Sequence, residues 1–375
     1  MIRWCLIMRD TVFVPSFGNR PRNLVGREEI ISKFEASLQS APGSRERAML
    51  MLGQRGSGKT VLLLEFAEIA RKQGCIVASP TVVSKEMPTR ILEKLRSEGE
   101  DYLPGTKAQF SGGSVSAFGF GGGFDLKLED QEPKSFAWNL SQICSALNKN
   151  GKPVLILIDE VQANQEELRQ LIVAYQEMVG EGMDIFMVLA GLPTSISSVL
   201  NDHVLTFLNR AVKIHLPPLR TGDIEFYYQK AFTDLNIRLD DVQISAAAKE
   251  TDGSPYLMQL IGHYIVLSAE ERSCVTEAQF SSALQRAKED FMNDICGTAL
   301  APLSDKDIAF LAAMAMDGET TEISAVISRL NCTSSLAQTY KRRLIQSGII
   351  RQPRRGAVQF AVPYLRDYLY KNYAE

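Results

Sequence analysis

The run Gly53-Gln54-Arg55-Gly56-Ser57-Gly58-Lys59-Thr60 constrains this chain more than any other feature. It fits G-x-x-x-x-G-K-[ST], a pattern in which glycines let the backbone curl until several N–H groups point at one phosphate chain. Its flanks are those the pattern needs. Ala48 to Leu52 reads as a buried parallel strand, and Val61 to Ala67 reads as the start of a buried helix. The helix N-terminus adds partial positive charge at the same point. Gly53, Gln54, Arg55, Gly56, Ser57 and Gly58 form the cradle. Lys59 is expected to neutralise the β- and γ-phosphates, and the Thr60 hydroxyl to ligate Mg²⁺.

A second element carries the partner chemistry. Val154 to Ile158 is a continuous β-branched and leucine run, the mark of a strand buried on both faces, and it ends in Asp159-Glu160. Parallel sheets place ligands at the C-terminal ends of their strands. Asp159 is expected to hold Mg²⁺, directly or through water, and Glu160 to orient and deprotonate an attacking water. Arg210 precedes the last strand of the sheet. From there an arginine is expected to reach a γ-phosphate within the chain or across a subunit interface, completing a catalytic set of Lys59, Glu160 and Arg210.

At 375 residues the chain has room for two or three domains. After an N-terminal extension over 1–24, strands alternate with helices over 25–218, which predicts a doubly wound α/β domain. The strands stop after Pro217-Pro218. Helical patterns then give a small bundle over 219–300, one of whose helices opens at Gly253-Ser254-Pro255 with proline in the first turn. Over 301–375 three helices are followed by a hairpin, flanking 352–357, and this order predicts a winged helix-turn-helix.

With 45% hydrophobic and 23% charged residues and a net charge of −3, any nucleic-acid surface must be local. A candidate exists. Lys341, Arg342, Arg343, Arg351, Arg354 and Arg355 fall within fifteen residues with no acid among them, on the expected recognition helix and wing. That pattern suits double-stranded DNA phosphates; the alternative is a winged helix used as an internal clamp. Gly112 to Gly123 alternates glycine with apolar residues. Near Phe118, Phe120 and Phe124 it reads as a passive insertion or as a contact for a protein partner. The six cysteines, none in C-x-x-C, read as small buried hydrophobes of a reducing compartment, and three scattered histidines suggest no zinc site. No long apolar run marks a membrane span and Met1 to Met8 lacks signal-peptide flanks, so a cytoplasmic location is expected.

Taken in order, Val25-Gly26-Arg27, the phosphate loop, Leu157-Ile158-Asp159-Glu160, Ala190-Gly191-Leu192-Pro193, Arg210 and Gly253-Ser254-Pro255 resemble STAND-type and archaeal-type P-loop ATPases, relatives of the AAA+ and origin-recognition initiator ATPases. The resemblance runs from about Leu24 to the C-terminus. It implies a P-loop NTPase domain, a helical lid and a winged helix, in that order. It also implies that Val25 and Arg27 lie by the adenine and that Pro255 packs near the base, hence ATP and ADP rather than GTP. Two departures stand out. Ala190-Gly191 occupies the place of a polar sensor, with Thr194 as the substitute, and Ser254-Pro255-Tyr256 lacks a second sensor arginine. The implied activity is a slow ATPase acting as a switch, with lid and winged helix following the nucleotide and DNA as the output. The alternatives are a regulatory ATPase with a protein partner, or a DNA loader or transposition regulator working as a nucleotide-dependent homo-oligomer.

Overall fold

The apolar runs bounded by glycines and acids form a five-stranded sheet in the order β2-β3-β4-β1-β5, parallel throughout. A computed structural model describes residues 12–15, 24–104, 134–162, 165–203, 205–269 and 274–373. In chain order the first elements are α1 (Glu28–Leu38), β1 (Ala48–Leu52), α2 (Lys59–Lys72), β2 (Ile76–Val82), α3 (Met87–Glu98), α4 (Phe136–Lys149), β3 (Val154–Val161), α5 (Glu166–Gly180), β4 (Ile185–Gly191), α6 (Pro193–Leu200) and β5 (Val212–His215). The Gly112 to Gly123 segment with Phe118, Phe120 and Phe124 lies outside the described residues, as does Cys5.

Strand alternation explains why β3 and β4 read as unbroken apolar runs. Leu155, Leu157, Phe186 and Val188 face α1 and α2, packing with Phe34, Leu63 and Phe66. Ile156, Ile158, Met187 and Leu189 face the other way, onto Met87, Leu140 and Leu171 of α3, α4 and α5. Helices cover both faces, so every β3 side chain before Glu160 is buried. The sequence gives no clear period for α6 or for the 3₁₀ turn Thr206–Arg210, and both appear only in the structure.

Beyond Pro218 come α7 (Thr221–Asp234), α8 (Asp241–Glu250), α9 (Pro255–Ser268) and α10 (Glu277–Phe291). Capping boxes at Asp240/Gln243 and Thr276/Gln279 start α8 and α10. α10 does not stop at Phe291. It widens into a π-helical turn, Met292–Cys296, and continues as α11 (Gly297–Leu300). The last elements are α12 (Asp305–Ala315), β6 (Thr321–Glu322), α13 (Ile323–Leu330), α14 (Ser334–Gln346), β7 (Ile350–Arg351), β8 (Ala357–Phe360) and α15 (Leu365–Tyr373). The expected hairpin is β7 with β8. β6 pairs antiparallel on the free side of β8, and α15 packs on α12; neither was expected. Helices on both sides of residue 300 share one core, which runs through Phe232, Leu257, Phe291, Phe310, Leu344 and Leu369.

Cys75, Cys144 and Cys296 are buried, and burial pushes their thiols up to about 11, about 12 and about 12, so they stay protonated. Cys274 is exposed and departs from the expectation of buried cysteines. Among the described residues no helix is long and apolar enough to cross a membrane.

One glycine joins the sheet region to the helices. Gly253 has φ +70°, its carbonyl accepts the Leu219 N–H at 2.8 Å, and a Cβ there would stand 2.6 Å from Pro218 Cβ and 2.7 Å from the Leu219 carbonyl. Gly253→Ala meets both a left-handed backbone and rigid neighbours. It is expected to lower unfolding free energy by about 2 kcal/mol or more, read from urea denaturation. Gly182→Ala, with positive φ but open space, is the control and is expected to lose only about 1 kcal/mol.

Candidate functional site

β1 ends beside β4, with Leu52 paired to Gly191 and the Gly53 N–H donating to the Gly191 carbonyl at 3.2 Å. The chain then turns through Gly56 (φ +72°) and Gly58 (φ +87°) into α2. These conformations suit glycine because a Cβ clashes with its own backbone there. Gly53 is needed for a different reason: a side chain there would run into Ser57 Oγ. The Lys59 ammonium bridges the Gly53 and Gln54 carbonyls at 2.9 and 2.8 Å, which pins the loop in its curl. Burial holds the Lys59 pKa below its ordinary value, opposed by the nearby Asp159 and Glu160 charges.

Thr60 Oγ1 donates to Asp159 Oδ2 at 2.5 Å, joining the start of α2 to the end of β3. Asp159 is buried, and its other oxygen accepts the Glu160 N–H at 2.9 Å. β3 bulges at this point. Ile158 pairs with Leu189 and Val161 with Gly191, so Asp159 and Glu160 together oppose one residue of β4. The bulge puts Glu160 at φ +51°, exposed at the pocket edge, while Asp159 stays inside. A non-glycine residue in the left-handed region is strained, and such strain gathers where a side chain must be aimed.

These groups line a cavity of about 530 Å³. From the expected set it brings together Val25, Arg27, Arg55, Gly56, Ser57, Gly58, Lys59, Thr60, Asp159, Glu160 and Pro255. Gly53 and Gln54 do not line it. Arg27 is buried and donates to the Pro217 carbonyl at 2.9 Å and toward the Ser57 carbonyl at 3.5 Å, so it ties the loop to the segment that follows β5. Desolvation lowers its pKa, with Glu28 acting against that. Pro255 stands over the loop, 3.9 Å from where a Gly58 Cβ would be.

Arg210 needs correction. It is exposed at the N-terminal end of β5, and Val212 pairs with Met49. That level lies three residues below Leu52, about 10 Å down the sheet from the phosphate loop. Arg210 does not line the pocket and does not meet the phosphate loop in this structure. Thr194 does not line it either; Ser195, one residue on in α6, does.

The basic cluster is also changed by tertiary structure. Arg343 pairs with Asp307, Nε to Oδ1 at 2.9 Å, and Arg354 pairs with Glu322. Lys341 leans on Gln352 at 3.3 Å. Arg342, Arg351 and Arg355 are exposed, and Arg351 lies close enough to Asp252 to oppose the upward shift that burial gives that carboxyl.

Other pocket residues had no sequence signal. Val14 comes from the N-terminal extension, Met258 and Gln259 from the second turn of α9, and Asp294 and Thr298 from the π-helical turn and α11. Tyr256, next to Pro255, donates to Asp294 at 2.6 Å; burial and then Asp294 push its hydroxyl pKa up.

The strain at Glu160 has a measurable consequence. Glu160→Gly is expected to leave unfolding free energy unchanged within about 0.5 kcal/mol or to raise it, because glycine adopts this backbone freely. Glu160→Val, β-branched in the left-handed region, is expected to lower it by about 1 kcal/mol or more. Urea melts of the two variants check this.

A family model for the AAA ATPase domain matches residues 23–188, and one described as a domain of unknown function (DUF8462) matches residues 293–369. No curated protein matches the chain. Solved structures do. A Walker-type ATPase of Pyrococcus abyssi is 17% identical with a TM-score of 0.68, covering 96% of this chain and 99% of its own. The Aeropyrum pernix ORC2 protein, in ADPNP–ADP complexes, is 16% identical with a TM-score of 0.66, covering 95% of both chains. Cdc6p from Pyrobaculum aerophilum is 14% identical with a TM-score of 0.52, covering 96% of this chain and 97% of its own. At such identities the likeness concerns the fold, while the domain match identifies residues 23–188 with the AAA ATPase domain. Residues 23–188 thus match the AAA ATPase domain, and the chain as a whole has the fold of these origin-recognition-type ATPase structures.

Proposed function

We propose that this protein is a nucleotide-gated switch whose C-terminal winged helix binds double-stranded DNA when released from the phosphate loop. The supporting observation is direct contact between the two. Gly348, which follows the end of α14, lies so close to Gln54 of the loop that a Cβ at 348 would overlap the Gln54 carboxamide. Arg55, the next loop residue, reaches to 3.5 Å from the Thr298 carbonyl. A loop that rearranges around a γ-phosphate therefore moves the ground on which α14 stands, and the nucleotide biases two positions of the C-terminal elements.

In this reading Gly56, Ser57, Gly58 and Lys59 cradle the phosphates and Glu160 orients the attacking water and takes its proton. Thr60 and Asp159 fit Mg²⁺: both offer oxygen, and they already lie side by side. Among the described residues there is no cluster of three or more acidic, histidine or cysteine ligands. That suits an ion that takes its remaining ligands from phosphate and water. Bound there, Mg²⁺ would neutralise phosphate charge. The ORC2 structure was solved with ADPNP and ADP, which agrees with an adenine nucleotide here. Turnover is slow, since no second sensor arginine stands at Ser254-Pro255-Tyr256. The DNA surface uses Arg342 and Arg355, for which no ion pair was found among the described residues, more than the paired Arg343 and Arg354.

Fluorescence anisotropy of a labelled duplex tests this, with the Glu160→Gln protein in ATP against ADP at two salt concentrations. Salt-sensitive binding that differs several-fold between nucleotides is expected, and Arg342→Glu with Arg355→Glu should weaken it at least tenfold. Equal duplex affinity in both nucleotides, or no effect of charge reversal, rejects the proposal.

The exposed place of Arg210, far from its own pocket, supports a second reading in which it serves a neighbouring subunit. Mixing Lys59→Ala with Arg210→Ala protein should then restore part of the ATPase rate that each lacks alone. An unrescued mixture rejects the trans role.

A further inference from the structure

The apolar end of the pocket holds a side-chain amide that is only half satisfied among the described residues. Gln259, in the second turn of α9, is 7% exposed and lines the cavity with Val14, Val25, Leu219 and Met258. Its Oε1 accepts the Val14 N–H at 3.0 Å. Its Nε2 is fully buried and has no hydrogen-bond partner among the described residues. Because a backbone N–H can only donate, the atom facing Val14 must be the oxygen. The amide orientation is thereby fixed, and the NH₂ group is the free end.

The strap that fixes it is anchored. Phe13 is buried against Tyr227, Tyr228 and Phe232, with ring centroids 5.8, 6.0 and 5.2 Å away. It lies over Gly262, where any side chain would collide with its ring. Phe13 thus holds Val14, and Val14 holds Gln259. Burying an amide donor without a partner is costly, and native proteins rarely tolerate it unless water or a ligand completes the bond. Ser57 Oγ, in the phosphate loop, is a second buried polar atom without a partner that belongs to this cavity, so the unsatisfied groups mark its phosphate end and its apolar end.

We propose that Gln259 is the base-reading residue of the nucleotide site, its Nε2–H donating to a ring nitrogen of adenine while Val14 locks the carboxamide. This rests on the adenine-nucleotide reading given above. An adenine ring offers acceptors at N1, N3 and N7, and apolar walls of Val14, Val25, Leu219 and Met258 with one donor suit that ring. The Val14 strap is then part of the binding site.

The test measures affinity for ADP and for its 1-deaza, 3-deaza and 7-deaza analogues, using wild-type protein and Gln259→Glu. Glutamate keeps the size and still accepts the Val14 N–H, but it turns the free donor into an acceptor. ADP should bind the variant at least tenfold more weakly. One deaza analogue should lose about tenfold in the wild type and nothing further in the variant, because the lost bond is the same one. Thermal melts of the ligand-free proteins check that the variant is folded. Should it not fold, the wild-type series still decides: a cost at one ring nitrogen supports the proposal, and no cost at any of the three overturns it. ADP affinity within twofold in a folded variant also overturns it while leaving nucleotide binding intact. A wild-type protein that binds no adenine nucleotide at all instead removes the reading on which it rests.

Discussion

The backbone contact between Gly253 and Leu219 is the joint on which the site depends. It is made at the start of the helical region, where a turn with positive φ presses against the end of the sheet domain. From that joint α9 projects over the phosphate loop. Pro255 and Tyr256 stand above Gly58 and Gly56, and Gln259, one turn on, faces the apolar end of the cavity. A Cβ at 253 would push the whole helix away. The cavity is therefore formed between two bodies, and its shape follows their relative position.

The same arrangement links the loop to the C-terminal elements. α10 runs through the π-helical turn into α11 without a stop, so Asp294 and Thr298 belong both to the pocket wall and to the helices that lead into α12. A single apolar core connects α7 to α15. In the proposed switch, movement of α14 relative to the loop requires these helices to shift as a packed unit against the sheet. The Gln54–Gly348 and Arg55–Thr298 contacts join the loop to these helices.

Electrostatics shows where linear reading falls short. Along the chain, six basic residues between 341 and 355 meet no acid. In the folded protein Asp307 comes from α12 and Glu322 from β6 to pair two of them. Asp307 also caps α12 by accepting from Ser304, so its bond to Arg343 is part of the scaffold. Arg210 teaches the same lesson. Its position before β5 was legible, but strand register puts it at the far end of the sheet from its own phosphate loop.

The sequence by itself determined the sheet strands and the phosphate end of the site. Local chemistry suffices there: glycines fix the loop, unbroken apolar runs mark buried strands, and Thr60 and Asp159 sit at predictable element ends. Only tertiary structure decided the other end. Val14, Gln259 and Asp294 lie on an N-terminal strap, on α9 and in a π-helical turn, with no spacing that relates them. The strain at Glu160 was likewise hidden, because a bulge depends on the partner strand and is invisible in β3 alone. Residues adjacent in sequence reveal a loop, whereas residues that meet across an interface carry no mutual signal until the chain is folded.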